Sequence, residues 1–187
     1  MTAKTGLRWT LRERTAEAHR SLDDFVSGMG AIHTREGLVP FLLGHAAAHR
    51  AMLGFDDAFV GHMSRRLELL KADLAELGLT ELDDRIACEA PSFEAAPGYR
   101  YVVAGSAMGG RMMARHHAKN ATGDVLRAAR FLGDDALVDF WKDVQSELDH
   151  LPKSGPAADA VVQGASSCFA LFETAFRLAE AATEPAS

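Results

Sequence analysis

The sequence predicts an all-helical, single-domain bundle, and three observations predict it. Apolar residues recur at helical spacing over most of the length, and no stretch sustains the alternation of a half-buried strand. The composition is 48% apolar, 25% charged and only 7% aromatic, with abundant Ala and Leu, the profile of a soluble, helix-rich chain. With 187 residues, one core can be buried without disulfides or metals to staple it.

The first helix is expected from about Leu7 to Ser27, with Leu7, Leu11, Ala18, Leu22 and Phe25 on one face. Thr5 could cap its start, and Gly28 is a natural stop. The second begins after Thr34, carries Leu38, Phe41, Leu42, Met52 and Leu53, and reaches about Phe59. A third sets Leu67, Leu70, Leu74 and Leu77 on one stripe, between a Ser64 cap and Gly78. Thr80 to Pro97 reads as irregular, punctuated by Pro91, Pro97 and Gly98. A fourth helix should run from about Gly98 to Lys119, and a fifth from about Asp135 to Asp149, closed by Leu151-Pro152. The sixth, from about Pro156 to Ala182, turns Val161, Ala165, Cys168, Phe172 and Phe176 inward. Residues 1–5 and 183–187 read as loose termini, and no internal repeat or linker divides the chain.

A formal net charge of −6 argues against non-specific nucleic-acid binding, which needs basic surface to neutralise phosphates. Cys88 and Cys168 stand far apart with no CxxC, so a reducing compartment fits best. No window approaches the roughly 18 apolar residues of a spanning helix, and no apolar signal core follows the N-terminus. The expectation is a cytoplasmic protein.

One segment does not suit an ordinary bundle helix. Between Tyr101 and Arg115, strong helix formers are interrupted by Gly105, Gly109 and Gly110. Each interior glycine costs about 0.8–1 kcal/mol against alanine, so three forfeit roughly 2–3 kcal/mol. Gly105 and Gly109, four apart, share a face, and Gly110 widens the bare strip. Such a face lets backbone approach something flat. Tight packing against another helix explains it as well.

The second signal is in the first helix. His19 falls beside Thr15, Ala18 and Leu22, near the apolar stripe. A lone histidine there is ordinarily a hydrogen-bonded core residue. Asp23, four residues on, could orient the imidazole through its second nitrogen, as carboxylates do for metal-binding histidines. Arg12, seven residues earlier, could meet an anionic ligand edge.

Taken together, Thr15-x-x-x-His19-x-x-Leu22-Asp23 and Tyr101-x-x-x-Gly105-Ser-x-x-Gly109-Gly110-Arg111 resemble the haem oxygenase family, most nearly its bacterial, bacteriophytochrome-associated branch. The resemblance continues through Phe140-Trp141-Lys142 and Gly164-Ala-x-x-x-Phe169-x-x-Phe172, in order along nearly the whole chain. It implies the multi-helix haem oxygenase bundle, with haem between the first helix and a kinked, glycine-rich distal helix. It implies O2-dependent opening of haem to biliverdin, carbon monoxide and iron.

By the same resemblance His19 ligates the iron, Asp23 supports it, and Gly105, Ser106, Gly109 and Gly110 form the distal wall. Tyr101, Lys142 and Arg12 are candidates for the propionates, and Phe169 packs on the macrocycle. A surface role for Lys142 and a core role for Phe169 explain those residues equally. A distal wall of bare backbone leaves proton delivery to ordered water, with Ser106 as its anchor. Ala104 stands where the branch often has glutamate, and Ser106 where other members carry an acid, which puts the water network in doubt.

No flavin, nicotinamide or iron–sulfur motif is present, so the resemblance implies an external electron donor, a ferredoxin or a reductase, and a bacteriophytochrome as a possible recipient of biliverdin. A haem carrier or sensor without turnover is the alternative within the fold. His45-x-x-x-His49 has the spacing of a helical metal pair, but no Glu or Asp lies within a turn on that face, against di-iron chemistry. The adjacent His116 and His117 point about 100° apart on a helix, which disfavours a joint ligand.

Overall fold

The computed structural model describes residues 6–55, 57–82 and 86–183, less the side chains of residues 57, 58 and 107. They form α1 (Leu7–Arg14), α2 (Ala16–Gly28), α3 (Arg35–Ala51), α4 (Asp57–Glu76), α5 (Ala96–Asn120), α6 (Gly123–Arg127), α7 (Ala136–His150) and α8 (Pro156–Thr183). No strand occurs among the described residues, as the helical periodicity requires. Thr5 and the terminal residues 1–5 and 184–187 lie outside them.

The first predicted helix is broken in two at Thr15. Its buried hydroxyl donates to the Leu11 carbonyl at 2.7 Å, a back-bond that bends helices. Backbone bonds from Thr15 to Leu11 and from His19 to Thr15 persist at 2.9 Å, so the break is a bend rather than a stop.

The second predicted helix ends at Ala51 instead of reaching Phe59, which belongs to α4. Around Gly54 the chain tightens into three-residue bonds, Leu53 to Arg50 and Phe55 to Met52. The turn lets Met52 and Phe59, 0% and 1% exposed, both reach the core. Ser64 is therefore inside α4 and caps nothing, because that helix starts at Asp57.

Gly78 does end α4. At φ +71 it allows Leu79 N–H to reach Leu74 O at 2.9 Å and its own N–H to reach Ala75 O at 3.0 Å, the paired bonds of a Schellman cap. Short α6 follows the bend at Gly123 and was not expected. Buried Asp73 ties down the next turn, accepting from Arg130 N and Phe131 N at 3.0 and 2.8 Å.

α8 is the spine. Val161, Ala165, Cys168, Phe172 and Phe176 are all buried along it, and α2, α3 and α5 pack on it. Two crossings are set by glycine. A Cβ on Gly164 would lie 2.1 Å from Ala95 O, and one on Gly98 2.1 Å from Val161 O. Bare backbone thus brings the start of α5 onto α8. α2 and α5 both pack on α8 yet scarcely touch each other.

Candidate functional site

α2 is the only long helix of the described chain with no fully buried residue: Ala18, Leu22, Phe25 and Val26 are half-buried on α8. His19 sits on this wall with its side chain 63% exposed. Its Nδ1 lies 2.9 Å from Asp23 Oδ2, one turn on. A carboxylate only accepts, so Nδ1 carries the hydrogen and Nε2 is the nitrogen left for another partner. Phe169 of α8, buried, meets the imidazole edge-on with centroids 5.7 Å apart. The structure thus joins three of the expected residues, His19, Asp23 and Phe169.

The other candidate wall is the middle of α5. Gly109 and Gly110 have open space where a Cβ would be, and Met108 and Met112 beside them are 52% and 73% exposed. Gly105 differs: its Cβ would meet the Trp141 ring at 3.6 Å. That is ordinary contact distance, so Gly105 borders α7 without having to be glycine, and no described atom lies within 4 Å of a Cβ on Gly109 or Gly110. Ser106 is exposed, and its hydroxyl donates to Val103 O at 2.7 Å. Its oxygen keeps lone pairs that can accept from water. Two exposed methionines beside glycines are an apolar lining that the sequence reading passed over.

Both ends of α5 are held by other elements. At one end Tyr101 stands against Trp141, centroids 5.8 Å apart. Burial pushes the Tyr101 hydroxyl above its ordinary pKa, while the nearby Arg12 guanidinium draws it back. Arg12, on α1 beyond the bend, also lies 5.8 Å from the Trp9 ring centroid. Arg12 of α1 and Tyr101 of α5 are therefore neighbours across the fold. Lys142, next to Trp141 in sequence, is 70% exposed on α7 and bonded to Asp139 at 2.6 Å. At the other end the loop after α2 bonds to the end of α5, His117 Nδ1 to Ile32 O at 2.8 Å.

These residues fit haem. A flat apolar ring needs apolar walls without bulk, and the two helices present them. An iron needs an imidazole nitrogen with no other partner, and Nε2 of His19 has none among the described residues. Propionates need cations or hydroxyls, and Arg12 and Tyr101 are neighbours.

Other features fit less well. A cavity of about 770 Å³ lies between α4, α5 and α7, lined by His62, Pro91, Phe93, Arg100 and Phe140. It contains none of these groups, and Arg100 there is paired with Glu147. His49 is no metal ligand: Nδ1 donates to His45 O at 2.7 Å and Nε2 accepts from Arg66 Nε at 3.2 Å. Arg66 in turn is held by buried Asp134. Among the described residues no three His, Cys, Asp or Glu side chains converge as a metal site. None of the described helices is long and apolar enough to cross a membrane.

No family model matches the chain. Among solved structures, haem oxygenase from Neisseria meningitidis, determined with NO and CO bound, is similar with a TM-score of 0.74 at 23% identity, over 94% of this chain and 92% of that one. That likeness shows the fold. A curated haem oxygenase from Xanthomonas campestris pv. campestris (strain 8004) is 31% identical over 136 residues, 67% of this chain and 82% of the relative. A bent first helix carrying His19 and Asp23, a bare-backed α5 and this relative together place the chain in the haem oxygenase family.

Proposed function

We propose that this haem oxygenase seats haem in the cleft between α2 and α5, with Nε2 of His19 as the iron ligand. The observation that carries the assignment is the His19–Asp23 bond, which fixes the imidazole with its free nitrogen turned away from its helix partner. Bound there, haem supplies the iron that binds O2 and is itself opened at a meso carbon to biliverdin, carbon monoxide and ferrous iron.

The chain's residues hold and shape that chemistry. Asp23 accepts from Nδ1 and keeps His19 in the tautomer that can bind metal. Phe169 supports the ring from the floor. Gly109 and Gly110 keep the distal wall free of side chains. Gly105 borders Trp141, and Ser106 offers an acceptor to water at that wall. Arg12 and Tyr101 receive the propionates, with Lys142 able to reach them only by leaving Asp139. No acid or imidazole of α5 stands beside the glycines, so protons arrive through water.

Electrons come from an external donor, a ferredoxin or a reductase, because the chain carries no redox group of its own. Both cysteines are free, which suits a reducing cytoplasm. The whole chain acts as one domain, and supplying biliverdin to a bacteriophytochrome is the role that its closest sequence resemblance suggests.

The test is haem titration followed by a ferredoxin system or ascorbate. Loss of the Soret band with growth of biliverdin absorption is expected. A Soret band that persists under reductant and O2 would make the protein a haem carrier instead.

A further inference from the structure

We propose that His33 and His116 form a surface site for one divalent late first-row metal ion of the Zn²⁺ type, distinct from the haem cleft centre and independent of the haem assignments. His33 lies in the loop after α2, and His116 near the end of α5. Nδ1 of His33 and Nε2 of His116 are 3.2 Å apart, with ring centroids at 5.0 Å. Imidazole nitrogens bound to zinc at about 2.0–2.1 Å stand about 3.3 Å apart when the ion is tetrahedral. In the metal-free protein one ring donates to the other across this gap, and an ion that displaces the shared hydrogen finds both nitrogens at chelating distance. His116 is exposed and His33 half-buried, so an ion can reach them.

The spacing is held by the fold. One residue along each segment, His117 is 1% exposed and bonded to Ile32 O at 2.8 Å and Val125 O at 2.9 Å. That buried bond fixes the backbone of the loop against α5 and leaves His33 and His116 little to rearrange. Asn120, a turn beyond His116, bonds its carbonyl at 2.7 Å and lies 3.5 Å from its Nδ1.

With no third protein ligand among the described residues, water completes the coordination and the ion stays exchangeable. Arg115 and Lys119 on the same helix moderate the affinity. The order of divalent affinities places Cu²⁺ and Zn²⁺ ahead of Fe²⁺. A bound ion would add a link between the loop that follows α2 and the end of α5, stiffening one end of the cleft.

Thermal unfolding of the full chain with and without zinc chloride, followed by circular dichroism, tests the site. Saturating zinc should raise the wild-type midpoint by about 3–6 °C. His33→Asn and His116→Asn should each abolish the rise while keeping the wild-type helical spectrum. His19→Asn, which removes the other exposed imidazole of the cleft, should keep it. No rise in the wild type, or a rise that persists in either the His33 or the His116 variant, overturns the proposal.

Discussion

Nδ1 of His19 stands 2.9 Å from Oδ2 of Asp23, and this bond selects the nitrogen that remains for iron. Without the carboxylate the imidazole can rotate and exchange tautomers. Asp23→Ala should therefore lower biliverdin formation and haem affinity, by about 10-fold within the 10–100-fold range of such supporting carboxylates. The low end is expected because both side chains are more than 60% exposed and water can replace the acceptor. Soret titration and initial turnover rates measure it. Wild-type values for both would remove Asp23 from the site.

His19→Ala removes an exposed side chain that carries no core contact beyond the Phe169 edge. Its thermal midpoint should stay near wild type, since surface changes fall within about 0.5 kcal/mol. Turnover should vanish, and the ferric haem spectrum should change. A normal ferric spectrum in this variant would mean that another residue holds the iron.

Some of this was legible in sequence and some was not, for physical reasons. α8 could be read because its inward residues keep one phase over its whole length. The over-long second helix has the same cause in reverse: Met52 and Phe59 are seven apart, so the apolar phase continues across a turn that breaks the hydrogen bonds. The bend at Thr15 depends on a buried side-chain bond that no periodicity reveals. In the site, His19 and Asp23 are four apart on one helix and could be paired by spacing alone. Arg12 and Tyr101 meet only through tertiary packing. The same packing divides the glycines, placing Gly105 beside Trp141 and leaving Gly109 and Gly110 bare.

That division predicts opposite signs for stability and binding. In Gly109→Leu the new Cβ meets no described atom within 4 Å and a poor helix former is replaced, so the haem-free protein should gain about 0.8 kcal/mol, or roughly 2–3 °C in midpoint. The same side chain should obstruct haem or bound O2. Calorimetry of the haem-free chain and Soret titration report the two effects separately. A variant with unchanged haem binding and turnover would move the distal wall elsewhere.

Gly164→Ala should damage the fold rather than the site. Its Cβ would lie 2.1 Å from Ala95 O, and backbone on both sides leaves no flexible side chain to yield. Separating α5 from α8 should cost about 3 kcal/mol, the upper end for overpacking, or roughly 6–12 °C. Gly61→Ala, on the open face of α4 with nothing within 4 Å, is the control and should stabilise by about 0.8–1 kcal/mol. Equal midpoints for the two variants would contradict the close crossing.

Acid should weaken the fold through α3. Burial, and secondarily the charge of Arg66, lower the His49 pKa to about 3. Burial, then His49 and Arg66, also hold His45 well below its ordinary value. Both are neutral in the fold, whereas the unfolded chain takes up protons near the ordinary pKa of about 6.5. Below that pH the unfolded state binds more protons, so stability falls as pH falls, by about 1.4 kcal/mol per unit for each histidine. For His49 the loss continues down to its folded pKa near 3. Urea unfolding at pH 7.5, 6.0 and 5.0 keeps clear of most carboxylate titration and should show the slope. His45 sits among the rings of Phe41, Phe131, Phe172 and Phe176, and its buried Nδ1 has no hydrogen-bond partner. His45→Leu should therefore fold as well as wild type at pH 7.5 and lose about half of the acid slope. A slope equal to that of wild type would show that His45 takes up its proton as readily folded as unfolded.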